Sequence, residues 1–202
     1  MNSDFIEIYD DVLSKEKCRE IISYFDKKKE ELGRGVSGRK KLVDLSAKSC
    51  WELPAELTYL SNRSFLPSRY ILDVIKKCTP QYIHSYPYLK DNVSPWNVSD
   101  GYNIQMYNPG EAYWQLHCEN GSLPFVRRVL VWTVYLNTVT DNGGTYFDQY
   151  DKTVDAKEGR FVMWPAGWTH THKGIVSNTQ KKYIATGWYE FLDDQQLIED
   201  TS

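Results

Sequence analysis

From Gly101 onward the chain runs as short apolar and aromatic stretches: Tyr102 to Tyr107, Arg127 to Leu136, Thr145 to Phe147, Arg160 to Trp164 and Lys181 to Phe191. Asn108-Pro-Gly110, Asp141-Asn-Gly143-Gly144 and Pro165-Ala-Gly167 separate them, and these are the residue types that reverse a chain without strain. Helical patterns gather in the front half. The combination predicts a mainly β protein with N-terminal helices, its core an antiparallel double-stranded β-helix, the jelly-roll or cupin-like barrel. The mouth of such a barrel is lined from several strands and is where a ligand site belongs.

The front half supplies support for the barrel. Asp4 to Tyr9 reads as a short strand, and Ser14 can cap a helix whose apolar stripe is Cys18, Ile21, Ile22 and Phe25. A second helix is expected from Pro67 to Ile83, with Tyr70, Ile71, Val74, Ile75 and Cys78 on one face and Pro80 as its end or kink. Between them Gly33-Arg-Gly35-Val-Ser-Gly38 matches the dinucleotide fingerprint by letter, but a charged helix precedes it and Arg39, Lys40 and Lys41 follow. That fingerprint needs a strand before it and a helix after it, so the stretch is expected to be a flexible basic loop able to order over a substrate. Ser85 to Asp100 is rich in turn residues and carries Tyr86, Tyr88 and Trp96. It reads as a loop packed by its own aromatics or as a wall of a substrate cleft.

A chain of 202 residues fits one domain, divided into helical support and substrate loops (1–100), a jelly-roll core (101–191) and an acidic tail (192–202). Its 15 Tyr and 7 Trp favour strands. A net charge of -3 with both signs spread along the sequence leaves no nucleic-acid or membrane footprint. Met1 to Tyr9 is acidic where a secretory signal needs a basic start, and no stretch approaches the ~20 apolar residues of a membrane span, so a cytoplasmic location is expected. Cys18, Cys50, Cys78 and Cys118 contain no Cys-x-x-Cys and read as reduced thiols.

The chemistry concentrates between Gln115 and His172. His117 and Glu119 are two residues apart, and an extended backbone points both to one side. A nitrogen from a distant strand, His170 or His172, would complete a two-histidine, one-carboxylate facial triad, which leaves open metal positions and suits non-heme Fe(II). A His-x-Glu tripeptide alone is a common surface pair, and the rest of the chain gives it weight.

Tyr102 to Phe191 resembles the catalytic core of the Fe(II)- and 2-oxoglutarate-dependent dioxygenases of the prolyl 4-hydroxylase-like type, and the whole is similar to their small bacterial and phage-encoded members. In that family a His-x-Asp pair and a later His bind iron, and a basic residue about ten positions further holds the distal carboxylate of 2-oxoglutarate. His117, Glu119 and His172 match the ligands and Lys182 the basic residue, with Gly174 and Trp188 in the family's order. Strand parity puts Lys182, Ile184, Thr186 and Trp188 on one face and favours Lys182 over Lys181. His170 is then read as a support of the site or as structural. Tyr107 resembles the tyrosine near the metal-bound end of 2-oxoglutarate, and Tyr135 the one that hydrogen-bonds its distal carboxylate. Asn142 to Phe147 resembles a Gly-Gly-x-Thr-x-Phe turn and strand, with Asn142 in place of the first glycine and Thr145 and Phe147 facing the barrel. Glu119 departs from the usual Asp by one methylene.

The resemblance implies an enzyme that uses Fe(II), 2-oxoglutarate as cosubstrate, O2 and, as an accessory, ascorbate, and that hydroxylates a C–H bond with release of succinate and CO2. The implied substrate is a prolyl residue of a protein or peptide. A small molecule or nucleobase is the alternative, and a non-catalytic jelly-roll metal- or ligand-binding module is the reading from a different class.

Overall fold

The computed structural model describes residues 3–37, 42–57 and 66–193. Glu7–Tyr9 (β1) leads into Lys15–Lys27 (α1), capped by Ser14, whose hydroxyl accepts the Lys17 N–H at 3.3 Å. Gly33–Arg34 (β2) and Trp51–Glu56 (β3) follow, then Leu66–Ser85 (α2), Tyr88–Asp91 (α3) and the long Trp96–Tyr107 (β4). The back half is Arg128–Tyr135 (β5), Thr145–Phe147 (β6), Lys152–Val154 (β7), Phe161–Pro165 (β8), His172–Gly174 (β9) and Lys182–Phe191 (β10).

Among the described residues the strands form two antiparallel sheets, β1-β8-β5-β10-β4-β3-β2 and β7-β6-β9. Alternation decides what each face of the larger sheet does. Tyr183, Ala185 and Tyr189 of β10 are buried on the outer face, in one core with Cys18, Ile21 and Phe25 of α1 and Ile71, Val74, Cys78 and Tyr82 of α2. Burying an apolar side chain of this size stabilises by roughly 1.5–3 kcal/mol, which is what fastens the helices to the sheet. Gly187 keeps that face close-packed, since a Cβ there would meet the Trp132 ring at 2.5 Å. The alternate residues Lys182, Ile184, Thr186 and Trp188 line a cleft to which both sheets contribute. A second core of Val131, Tyr135, Phe147, Val162 and Trp164 fills the barrel behind it.

The structure departs from the sequence pattern in the front half. Residues 85–100 are not one loop, because α2 runs on to Ser85, α3 follows and β4 starts at Trp96. Tyr86 packs on Phe5 and Tyr82, and Trp96 on Tyr189, so these aromatics extend the outer core, and of this stretch the cleft takes Ser99. Pro80 does not end α2. Lys76, whose carbonyl loses its helical partner, lies on the exposed side of the helix, where solvent can take the place of the missing N–H. Gly33 and Arg34 form a strand rather than a loop, paired with Glu52 and Trp51, while the basic end of the expected lid, 38–41, lies outside the described residues. The acidic tail beyond Asp193 also lies outside them. β3 escapes a pattern search because Pro54 interrupts it, and a proline is tolerated there because the neighbouring β2 spans only Gly33–Arg34 and demands no N–H from it. The four cysteines are free, and among the described residues no helix is long and apolar enough to cross a membrane.

Candidate metal centre

Backbone pairing brings His117 and His172 together. The two residues exchange hydrogen bonds, His117 N–H to the His172 carbonyl at 3.0 Å and His172 N–H to the His117 carbonyl at 2.9 Å. Glu119 is fixed by its own N–H on the Ala166 carbonyl at 3.0 Å. Each imidazole is then oriented through Nδ1, 2.8 Å from the Gln115 carbonyl for His117 and 2.9 Å from the His170 carbonyl for His172. A carbonyl only accepts, so Nδ1 carries the proton in both rings and each Nε2 presents a lone pair.

Those lone pairs face one carboxylate oxygen. Glu119 Oε1 is 3.4 Å from His117 Nε2 and 3.7 Å from His172 Nε2, and the three donor atoms lie within 4.8 Å of one another. Burial, reinforced by the neighbouring His117, pushes the His172 pKa down to about 3, which keeps its ring neutral. Burial alone would raise the Glu119 carboxyl, but the polar groups that face it, the Arg128 cation among them, outweigh it and hold it well below the usual carboxylate range. Two imidazole nitrogens and one carboxylate oxygen, one atom from each residue, fit a divalent ion such as Fe(II).

The second oxygen, Glu119 Oε2, accepts from Trp188 Nε1 at 2.8 Å and from Arg128 Nη1 at 3.0 Å. The Arg128 guanidinium lies 3.6 Å from the Trp188 ring centre and 4.3 Å from that of Phe125. His170 is engaged elsewhere: its ring nitrogens meet Thr169 Oγ1 at 3.0 Å and the Asp4 carbonyl at 2.9 Å, tying the N-terminal segment to the barrel.

A cleft of about 1330 Å³ connects this cluster with Lys182. Lys182 is 5% exposed, its ammonium lies 4.5 Å from the Tyr107 ring centre, and no carboxylate among the described residues pairs with it. Burial lowers its pKa to about 8 against a small opposing effect of Cys50. Nearby polar groups satisfy one another instead. Glu52 pairs with Lys48 and accepts from Gln105 Nε2 at 2.6 Å, and the Tyr107 hydroxyl donates to Gln105 Oε1 at 2.7 Å. A buried ammonium left without a partner in a cleft wall is a place for an acid group.

The residues singled out in the sequence thus distribute unevenly. Tyr107 stands opposite Lys182 across β4 and β10, whereas the Tyr135 hydroxyl is 2.6 Å from Thr145 Oγ1, behind the cleft surface. Of the two tyrosines, Tyr107 is the one whose ring lies beside the Lys182 ammonium. Thr145 lines the cleft, and Phe147 instead packs on His172 and Trp164, with ring centres 5.6 and 5.3 Å apart. Trp188 belongs with Glu119 rather than with Lys182. Asn142 has φ 83°, a left-handed conformation that Asn tolerates better than most residues, which explains how it stands in for a glycine. Arg128, the Lys48–Glu52–Gln105 group and Tyr113, stacked on His117 at 3.7 Å, were not visible in the sequence. Arg128 left one faint signal, opposite charge to Glu190 at paired strand ends.

Residues 102–190 match the 2OG-Fe(II) oxygenase superfamily. No curated protein sequence matches the chain. Among solved structures, a viral collagen prolyl hydroxylase of Paramecium bursaria Chlorella virus-1 in complex with 2OG is 17% identical, with 93% of this chain and 97% of that one covered and a TM-score of 0.66. A Pseudomonas putida prolyl-4-hydroxylase is 16% identical over 93% of this chain and 94% of its own, with a TM-score of 0.69. A Trichoplax adhaerens prolyl hydroxylase bound to a hypoxia inducible factor oxygen degradation domain peptide fragment is 14% identical over 94% and 85%, with a TM-score of 0.72. Such identities show a shared fold and leave the substrate to the site. The likeness to the 2OG-Fe(II) oxygenase superfamily is thus carried by residues 102–190, and the chain as a whole shares the fold of the prolyl hydroxylases.

Proposed function

We propose that His117, Glu119 and His172 hold Fe(II), that Lys182 binds the distal carboxylate of 2-oxoglutarate, and that the substrate is a prolyl residue of a protein or peptide. The observation that carries the ligand assignment is the convergence of two Nε2 lone pairs on Glu119 Oε1. Fe(II) in this family supplies the coupling of oxidative decarboxylation of 2-oxoglutarate, giving succinate and CO2, to hydroxylation of a C–H bond by O2.

The chain's own residues bind and orient. Lys182 offers a charge-assisted hydrogen bond in a partly dry wall, worth about 1.5–3 kcal/mol, which selects an acid long enough to reach it from the metal cluster. Tyr113 covers one face of His117, and Phe147 and Trp164 pack around His172, so both rings keep their aim and water is excluded from their flanks. Gly174 allows the close approach on the cosubstrate side, since a Cβ there would sit 3.3 Å from Tyr113 N and 3.6 Å from Lys182 Nζ. A peptide substrate is supported by the reach of the cleft, from Gly33, Arg34 and Val36 to Ser122 and Phe125, and by the likeness to structures of prolyl hydroxylases.

An anaerobic visible-absorption titration of the metal-free protein with Fe(II) and 2-oxoglutarate tests the site. A charge-transfer band that needs both additions is expected in the wild type and in His170→Ala and not in His172→Ala. No band in the wild type, or its survival in His172→Ala, overturns the assignment. Succinate release should then rise with a proline-containing peptide and not with its alanine counterpart; equal release from both removes the prolyl substrate.

A further inference from the structure

We propose that Arg128 and Trp188 are positioning residues that hold Glu119 in a one-oxygen presentation to the metal, and that this clamp is what lets a glutamate serve at this position. The inference rests on the metal-site reading above and goes beyond it, because it concerns the oxygen that faces away from the two histidines.

A carboxylate oxygen has two lone-pair directions. Those of Glu119 Oε2 are matched by two donors, the Trp188 indole N–H at 2.8 Å and Arg128 Nη1 at 3.0 Å. Oε2 has none left for a metal, so only Oε1 can join His117 and His172. The donors are themselves held. Arg128 stacks on Trp188 at 3.6 Å, faces Phe125 at 4.3 Å, and has Glu190 Oε1 3.6 Å from its Nε. Arg128 sits on β5 and Trp188 on the adjacent β10, so the sheet fixes the clamp from one side while the Ala166 carbonyl fixes the Glu119 backbone from the other. Arg128 Nη1 also lies 3.4 Å from the Glu119 backbone carbonyl, so it holds backbone and side chain alike, and the two methylenes of the glutamate carry Oε2 on to the Trp188 N–H. An aspartate, one methylene shorter, would reach either the histidine nitrogens or the Arg128–Trp188 pair, but not both.

Anaerobic calorimetric titration of the metal-free protein with Mn(II) as the probe, without 2-oxoglutarate, measures the clamp apart from turnover. Trp188→Phe keeps an aromatic ring for Arg128 but removes the N–H together with the second ring of the indole, and Arg128→Lys keeps the charge and loses the directed donor. Each is expected to weaken Mn(II) about 10- to 100-fold, the usual effect of removing a hydrogen-bond partner of a metal ligand. Glu119→Asp should weaken it by as much or more, although it restores the residue type usual in the family. Unchanged thermal unfolding of the metal-free variants separates loss of positioning from loss of fold. Wild-type binding with unchanged affinity in both Trp188→Phe and Arg128→Lys, or tighter binding by Glu119→Asp, overturns the clamp and leaves the metal site standing. No Mn(II) binding by the wild type removes the metal site itself, and the clamp with it.

Discussion

The role proposed for Lys182 sets function and stability in opposition. Its ammonium is buried without a carboxylate partner among the described residues, and its pKa falls from 10.5 to about 8 through desolvation. In the unfolded chain the group keeps its proton up to its ordinary value, so between those two values the unfolded state binds more protons and stability rises with pH. Below about 8 the burial penalty is fully present, and the difference between the two values corresponds to about 3 kcal/mol at pH 7. By the same linkage only about 1 kcal/mol remains at pH 10. Lys182→Met has a similar stem length and no charge. In metal-free protein without 2-oxoglutarate it should therefore be more stable than the wild type by up to about 3 kcal/mol at pH 7, and this gain should shrink towards about 1 kcal/mol at pH 10. Urea unfolding followed by tryptophan fluorescence at both pH values measures it. The same variant should lose 2-oxoglutarate binding roughly 10- to 150-fold, the equivalent of one charge-assisted hydrogen bond, while retaining Fe(II). A variant less stable at pH 7, or a difference that does not change with pH, would refute the unpaired ammonium; equal loss of iron and 2-oxoglutarate would refute its separate role.

Other residues give independent checks. Phe25→Ala empties a fully buried position between α1 and the sheet, where its ring meets Tyr183 edge-on at 5.8 Å, and should cost about 3–5 kcal/mol in chemical denaturation without altering metal affinity. Asn142→Ala should destabilise by about 1 kcal/mol because φ 83° is unfavourable for alanine, whereas Asn142→Gly should be neutral or slightly stabilising; thermal unfolding of the pair distinguishes backbone strain from a side-chain role. Tyr135→Phe removes the 2.6 Å contact with Thr145 and should lower stability by about 1 kcal/mol with little effect on 2-oxoglutarate affinity in calorimetry, the opposite of what a tyrosine holding the distal carboxylate would show.

What the sequence reveals follows from how locally each feature is encoded. The stripe Cys18, Ile21, Phe25 and the alternation in β10 are periodic, so α1, the last strand and the shared face of Lys182 and Trp188 can be read without knowing any neighbour. β9 has three residues and β3 carries a proline, too little period to stand out, yet they bring His172 and the Lys48–Glu52 wall to the cleft. Parity also says only which face a side chain takes. Trp188 and Lys182 share that face, but β10 is long enough for one to meet Glu119 and the other Tyr107, and which does which depends on register with β5 and β4. Register is a property of pairs of strands and is absent from either strand alone. The glutamate illustrates the consequence. Read along the chain, Glu119 is a departure from a motif. Set beside β5 and β10, its extra methylene spans the gap between the histidine nitrogens and the Arg128–Trp188 donors, so the residue that looked like a defect is matched to a site its own segment does not encode.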